Sequence, residues 1–480
     1  MEVDNVVNKY IVLKFYFFKN RTLHNSHYKK LKEWVDMMEK REHLIKPMVG
    51  EQYPMISRAQ NIYMWDQNGK KYIDGSSGAV TTSIGHSVQE VIDAMVEQAS
   101  EVAFVYRSQF TSEAAEELAE KISQLTPGDL NWSFFVNSGT EATETAMKMA
   151  IQHFQERGIH TKTKILSRKM SYHGITIGAL SMSGHALRRK RFEPLLEDYP
   201  MVEAPYCKRC PYGLENPSCQ MLCATDLERS ILKLGAENVA AFIAEPIVGA
   251  AGAALTPPPG YYETIREICT KYDVLFIADE VMTGIGRTGE VFGINHWNVI
   301  PDIVVLGKGL AAGYSPIAAT VASDRVMEPI LNGSRIVMAG HTFSANPLSA
   351  KVALAVLTYV ERNRLVENSK TQGAKLKSTL LKWKEEYDFI FDVRGEGLMI
   401  GVELKEELFN EKSLTGRVLK IANEKGLLLY PSVSGPQGRS ENSFLLSPPL
   451  VITDEQVEEI LSILKDVFTQ LQTETKGAVC

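Results

Sequence analysis

The chain has 480 residues, of which 44% are hydrophobic and 23% charged; this composition excludes collagen-like, mucin-like and wholly disordered readings. Its 52 basic and 58 acidic residues leave a formal net charge of −6 with no long basic block, so nucleic acid is not an expected partner. At roughly 150 residues per domain the length suggests three domains or two unequal ones, with a core too large to need disulfide staples.

The run Tyr10 to Phe18 is apolar and aromatic, but Lys14 interrupts it, Glu2 and Asp4 precede it, and Lys19, Asn20 and Arg21 follow where a small-residue cleavage site would stand. It is not read as a signal peptide, and a cytoplasmic location is expected. Residues 1–45 read as an N-terminal extension; within it, 1–36 are an accessory tail or an upstream extension of the frame, with Met37 or Met38 as the working start. Ile62 to Asp74 reads as a hairpin turning at Asp66, Gln67, Asn68 and Gly69. Beyond it, short apolar runs alternate with amphipathic stretches, the pattern of a helix-covered, mostly parallel sheet and hence an α/β class. The spacing predicts strands at Ser133–Asn137, Lys164–Ser167, Val239–Ala244, Val274–Ala278, Asp302–Leu306 and Ile317–Ala322, and a helix over Glu141–Gln155 that opens at Ser138, Gly139 and Thr140. Later come helices at Ser349–Arg362 and Gly373–Tyr387, a strand at Gly401–Leu404 and a last helix at Asp454–Leu471. The domains expected are a large one over 96–345 and a smaller α+β one over 346–480, joined by the segment 46–95. The longest uncharged stretches, Pro246–Tyr262 and Gly309–Ser323, are broken by glycine or proline and are too polar to span a bilayer, so no membrane partner is expected.

Three ionisable residues follow apolar strands: Glu245 after AAFIA, Asp279 after VLFIA and Lys308 after DIVVLG. The carboxyl edge of an open α/β sheet is where ligands bind. An aspartate there can hold a proton on a pyridine nitrogen and a lysine can form a Schiff base with an aldehyde, so the set points to pyridoxal phosphate. Singly, Asp279 reads as a helix cap or structural ion pair and Lys308 as a solvated loop lysine. Ser138, Gly139 and Thr140 lead from a strand into a helix, which suits a phosphate on the exposed N–H groups and equally suits a plain N-cap.

The blocks NSGTEATETAMK at 137–148, SYHG at 171–174, AEPI at 244–247, IADEVMTGIGRTG at 277–289, LGKGLAAGYSPIAA at 306–319, GHTFSANPLSA at 340–350 and VRGEGLMIGVEL at 393–404 stand in order along the chain. Through them the chain resembles the class III (ω-amino acid) aminotransferases of fold type I, from about residue 45 to 470. That resemblance implies a large domain with a mostly parallel seven-stranded sheet flanked by helices plus a smaller α+β domain, pyridoxal 5'-phosphate as cofactor, and a ping-pong transfer from an amino donor to an oxoacid. It implies further that Lys308 forms the Schiff base and shuttles the proton, that Asp279 holds the pyridinium, and that Glu245 sits close to substrate and lysine. Tyr172 and Val281 would press on the two ring faces with His173 beside them, and Ser138, Gly139 and Thr140 would take the phosphate. Thr342 would complete the phosphate site of the neighbouring subunit in a homodimer.

Departures from the family pattern narrow the donor. Met282 stands where many relatives carry a glutamine for the cofactor's ring hydroxyl; it also reads as a packing methionine. The arginine and glutamate of ornithine-type relatives are replaced by Leu445 and Ala250. Losing both together is physically coherent, because a buried arginine without its glutamate is costly. Arg439, in the loop GPQGRSEN, is the candidate cation for a substrate carboxylate and reads equally as a solvated arginine. The expected reaction is transamination from an ω- or β-amino acid or amine to pyruvate or 2-oxoglutarate.

The rivals on this fold are an aminomutase and a decarboxylase. A weaker one is an NAD-dependent oxidoreductase, since Gly284, Gly286 and Gly289 form a GxGxxG; the residues after it, EVFGINHWNVIPD, do not suit the helix such a fingerprint must open. Cys207, Cys210, Cys219 and Cys223 have a spacing able to hold structural zinc, but reduced loop thiols are the plainer reading and no metal site is assigned.

Overall fold

The computed structural model describes residues 43–405, 414–432 and 442–477, so the extension before residue 43 and Arg439 lie outside the described residues. The chain divides into two units, Met1–Met55 and Ile56–Cys480. In the first, residues 43–55 contain no helix or strand, and the Glu51 N–H closes a turn on the Met48 carbonyl at 3.3 Å.

The second unit opens with β1 (Ile56–Gln60), β2 (Tyr63–Asp66) and β3 (Lys71–Ile73), an antiparallel three-stranded sheet. The expected hairpin is the β2–β3 pair. Its turn is held by Asp66, whose Oδ1 accepts from the N–H groups of Asn68 at 2.9 Å and Lys70 at 3.0 Å.

The central sheet is built from β4 (Trp132–Val136), β5 (Lys164–Arg168), β6 (Met201–Val202), β7 (Val239–Ala244), β8 (Leu275–Asp279), β9 (Ile303–Leu306) and β10 (Ala318–Ala322). Their spatial order is β4-β10-β9-β8-β7-β5-β6, with β10 antiparallel to both neighbours and the other pairs parallel. The mostly parallel seven-stranded sheet implied by the resemblance is therefore present. Strands such as VAAFIA are apolar at every position because both faces are covered. Ile243, Ile277, Ile303 and Val305 point to the side of helix Gly139–Glu156, while Phe242, Phe276, Val304 and Leu306 point into the core that contains Tyr261 and Ile265 of helix Tyr261–Lys271.

The C-terminal region forms an antiparallel sheet of β11 (Ile390–Glu396), β12 (Met399–Leu404), β13 (Tyr430–Pro431) and β14 (Ser443–Leu446) in the order β11-β12-β14-β13. Helices Pro347–Arg362, Leu365–Glu386 and Asp454–Gly477 accompany it. The second of these begins eight residues before the Gly373 expected to open it. Gly373 lies mid-helix because the backbone at Gly397 presses on it; a Cβ there would lie 2.0 Å from the Gly397 carbonyl oxygen.

No helix among the described residues is long and apolar enough to cross a membrane.

Candidate active site

Parallel pairing brings the three ionisable residues together. Ala244 pairs with Ala278 and Asp279 with Val305, so the residues just past the ends of β7, β8 and β9 share one edge of the sheet. A cavity of about 730 Å³, its open mouth included, lies there; Glu245, Asp279 and Lys308 line it with Gly139, Thr140 and Tyr172. His173, Val281, Met282 and Ala250 complete much of the wall. Seven of the eight cofactor contacts expected from this chain's own fold therefore converge together with Glu245, and the eighth, Ser138, is not among the lining residues.

Asp279 ends β8 with its carboxylate fixed. His173 Nδ1–H donates to Oδ2 at 2.7 Å and the Val281 N–H donates to Oδ1 at 3.1 Å. Both Asp279 and His173 are buried, so the pair is shielded from water. Glu245 accepts from the Tyr172 N–H at 3.1 Å and the Gly249 N–H at 3.2 Å. Its backbone carbonyl is gripped by the Arg168 guanidinium and by the Tyr262 hydroxyl, the latter at 2.6 Å. Burial pushes the Glu245 carboxyl above the usual carboxylate range; the His173 ring opposes this and Asp279 adds to it.

Lys308 follows β9 with φ of 40°, in the left-handed region that a non-glycine residue enters only when its surroundings hold it there. Burial pushes its amine below the ordinary lysine range, Asp279 and Glu245 pull it back, and Arg188 pushes it down again. A lowered lysine is more often neutral and so a better nucleophile.

Helix Gly139–Glu156 aims its first turn at the cavity. Ser138 and Glu141 form a capping box: Ser138 Oγ accepts from the Glu141 N–H, and Glu141 Oε2 accepts from the Ser138 N–H at 3.0 Å and the Asn137 N–H at 2.7 Å. The cap reading is met at Ser138, and the cap leaves the next two N–H groups available. Ser138 caps, while the N–H groups of Gly139 and Thr140 have no intrahelical acceptor and sit at the cavity wall. The Thr140 hydroxyl is already engaged, 2.7 Å from that of Thr176 and accepting from the Ile175 and Thr176 N–H groups at 3.2 Å each. Gly139 has to be glycine, since a Cβ would stand 2.9 Å from Val281.

These residues fit pyridoxal phosphate: a buried carboxylate for a ring nitrogen, a lysine with a depressed pKa for an aldehyde, an aromatic and a branched aliphatic side chain for two ring faces, and open helix N–H groups for a phosphate.

Thr342 does not line this cavity. It is exposed, next to exposed Phe343, whose ring meets that of Phe104 edge-on at 5.9 Å. Met282 is buried with its sulfur against Gly249, where a Cβ would lie 2.0 Å away, so packing accounts for it as well as cofactor contact does. Leu445 is buried in β14 and Ala250 lines the cavity. The glycines at 284, 286 and 289 lie in turns, and a 3₁₀ turn at Gly293–Trp297, not a long helix, follows them. Cys207, Cys210, Cys219 and Cys223 line one small recess with no disulfide; among the described residues no three thiol, imidazole or carboxyl groups stand together as a metal-binding set.

Two features escaped the sequence. Arg168 and Tyr262 fix Glu245 through its backbone, with only an apolar context in the chain to announce them. Arg188 stacks on Tyr172, its guanidinium carbon 4.2 Å from the ring centroid. The basic run Arg188 to Arg191 is the sequence signal that could have drawn attention to it.

The family model for aminotransferase class III matches residues 46–468. The uncharacterized aminotransferase YodT of Bacillus subtilis is 49% identical over 440 residues, covering 90% of this chain and 99% of the relative. The taurine–pyruvate aminotransferase of Bilophila wadsworthia is 34% identical, covering 86% of this chain and 92% of that protein. Among solved structures, an amine transaminase from an uncultivated Pseudomonas species, in its pyridoxal phosphate-bound form, superimposes with a TM-score of 0.83 at 32% identity, covering 90% of this chain and 99% of that one. With the family model spanning nearly the whole second unit and the cavity fitted to the cofactor, the chain belongs to the class III aminotransferases and is a pyridoxal phosphate-dependent transaminase.

Proposed function

We propose that this transaminase moves an amino group from a β- or ω-amino acid or an amine to an oxoacid, with pyruvate ahead of 2-oxoglutarate, and works as a homodimer. One observation carries the donor reading: Leu445 and Ala250 leave the cavity without the arginine and glutamate pair of ornithine-type enzymes, while the catalytic floor is intact. The naming of a relative as a taurine–pyruvate enzyme supports an ω-acid donor and pyruvate.

In this reading Lys308 would bind the cofactor's aldehyde, Asp279 its ring nitrogen, Tyr172 and Val281 its faces, and the N–H groups of Gly139 and Thr140 its phosphate. The bound cofactor supplies an electron sink for the charge that develops when substrate carbon loses a proton. The chain's own residues do the rest. Lys308 Nζ, whose protonated form burial disfavours, would take that proton and return it one carbon away. Asp279, oriented by His173, keeps a compensating proton on the ring nitrogen. Glu245, fixed by Arg168 and Tyr262, sets the charge beside Lys308.

The dimer is supported by the apolar side chains that Phe104, Tyr106, Phe110, Ile336, Met338 and Phe343 leave exposed around Thr342. Sedimentation should give twice the chain mass, and a monomer that retains full activity would refute this part.

The donor is tested by a half-reaction. Holoenzyme is mixed with single β-, ω- and α-amino acids and amines without oxoacid, and the cofactor spectrum is followed to its amine form. Conversion by β- or ω-donors and not by ornithine is expected; conversion by none, with cofactor bound, would favour aminomutase or decarboxylase chemistry.

A further inference from the structure

A transaminase that accepts an oxoacid must hold a carboxylate close to its lysine, and a cation near the cavity is the natural partner. Arg188 lies in the last half of the helical turn Ala186–Arg189. Its guanidinium is held over the face of Tyr172 at 4.2 Å, and the ring of His185 meets Tyr172 edge-on at 6.0 Å. Tyr172 lines the cavity with Lys308 and Asp279.

The neighbouring arginine is committed elsewhere. Arg189 donates to the carbonyls of Leu180 and Ser181 at 2.8 Å and of Ser183 at 3.2 Å. Arg188 is half-buried, lies over the Tyr172 ring, and has no carboxylate partner among the described residues. Its charge is felt at Lys308, where it disfavours the protonated amine. A half-buried cation stacked on an aromatic wall, within electrostatic reach of the reacting lysine and without a counter-ion, is placed to receive one. The planar fork of a guanidinium also matches a carboxylate through two parallel hydrogen bonds, which an ammonium cannot do.

We propose that Arg188 binds the carboxylate of the oxoacid, and so selects acidic acceptors over neutral carbonyl compounds. This rests on the oxoacid reading above and assigns the missing cation to a described residue stacked on Tyr172 of the cavity wall.

The test uses holoenzyme, the amine donor that converts the cofactor fastest, and two acceptors of similar size, pyruvate and propanal. In the wild type the ratio of kcat/KM for pyruvate to that for propanal should be well above one. Arg188→Gln should lower that ratio by roughly 10- to 100-fold, mostly through the KM for pyruvate, and Arg188→Lys by less because charge survives and the fork does not. An active Arg188→Gln enzyme with an unchanged ratio overturns the assignment. A wild type that turns over neither pyruvate nor 2-oxoglutarate, with a donor that converts the cofactor, overturns the oxoacid reading itself, so the two failures are distinct. Should the variant fail to fold, arginine modification by phenylglyoxal on the wild type, mapped by mass spectrometry, decides the matter: propionate should protect Arg188 and propanol should not. Equal labelling with and without propionate refutes the proposal.

Discussion

The C-terminal sheet and the cofactor cavity both bury ionisable side chains, yet in the sheet the charges are mutually paired while in the cavity Lys308 has no ion-pair partner among the described residues. In the sheet, Arg394 donates to Glu403 at 2.6 Å and to Asp392 at 3.1 Å, and its remaining N–H groups reach the carbonyls of Gly252 at 2.7 Å and Ala253 at 3.0 Å. Glu403 also accepts from Arg209 at 2.9 Å and from the Tyr206 hydroxyl. This is a satisfied network and its work is structural. In the cavity, Asp279 and Glu245 are oriented by neighbours and line the open space, and their charges only partly offset the cost of burying Lys308. Burial without pairing is affordable only where a ligand completes the set, so the contrast separates a scaffold from a reaction site.

The sharpest way to break this contrast is to remove the unpaired charge. Lys308→Ala should reduce turnover by at least about 10⁴-fold. It should leave thermal stability of the apoprotein unchanged or slightly higher, because an uncompensated buried cation is gone. Cofactor should still bind non-covalently; appreciable residual transamination would contradict the role of Lys308.

The paired network predicts the reverse. Glu403→Gln takes a carboxylate from two guanidinium groups, leaving deeply buried Arg394 with Asp392 alone, and should cost about 3 kcal/mol of stability by chemical denaturation. Replacing both members, Arg394→Met with Glu403→Gln, should recover part of that loss because the most deeply buried cation goes with its carboxylate, while Asp392 keeps Lys384 at 3.9 Å. Turnover per folded molecule should change little. If Glu403→Gln instead abolishes turnover at full stability, the division between scaffold and site is wrong.

Asp279→Asn lies between the two. It keeps a side chain able to meet His173 but removes the negative charge, and turnover should fall by roughly 10²- to 10³-fold, the scale of losing one preorganised electrostatic partner. Stability should move by less than in Glu403→Gln, and equal losses in both properties would argue that Asp279 is a structural ion pair.

How much of this was legible follows the same physics. Val239–Ala244 could be read to the residue because a strand buried on both faces is written as an unbroken apolar run. The edge strand Met201–Val202 has only two residues and no pattern to read. Gly373 looked like the start of a helix, and only the close approach of Gly397 shows why a glycine sits inside one. Glu245, Asp279 and Lys308 were visible because each follows a strand that ends at the same edge. Arg188 was not, because it lies 120 positions before Lys308 and meets the cavity through Tyr172, a contact that no local pattern records. Thr342 could be named through the family block at 340–350, whereas the exposure of its apolar neighbours appears only once the chain is folded.

The smallest effect is the most diagnostic, since it asks whether the cavity charges act on Lys308 in the directions their positions require. The neutral amine is the form that captures the cofactor's aldehyde, so the rate at which apoprotein takes up cofactor should rise with pH as Lys308 loses its proton. Burial puts that midpoint below the ordinary lysine range. A neighbouring carboxylate stabilises the ammonium and raises the midpoint; a neighbouring guanidinium lowers it. Glu245→Gln should therefore shift the profile to lower pH and Arg188→Gln to higher pH, each by about half a unit, or roughly 0.7 kcal/mol. The Glu245 effect should fade at the acid end, where its own raised pKa leaves it partly protonated and without charge to lose. Opposite shifts would confirm that both side chains face the amine. Shifts of the same sign would mean that the substitutions act by changing how deeply Lys308 is buried, and the electrostatic account of the cavity would fail with them.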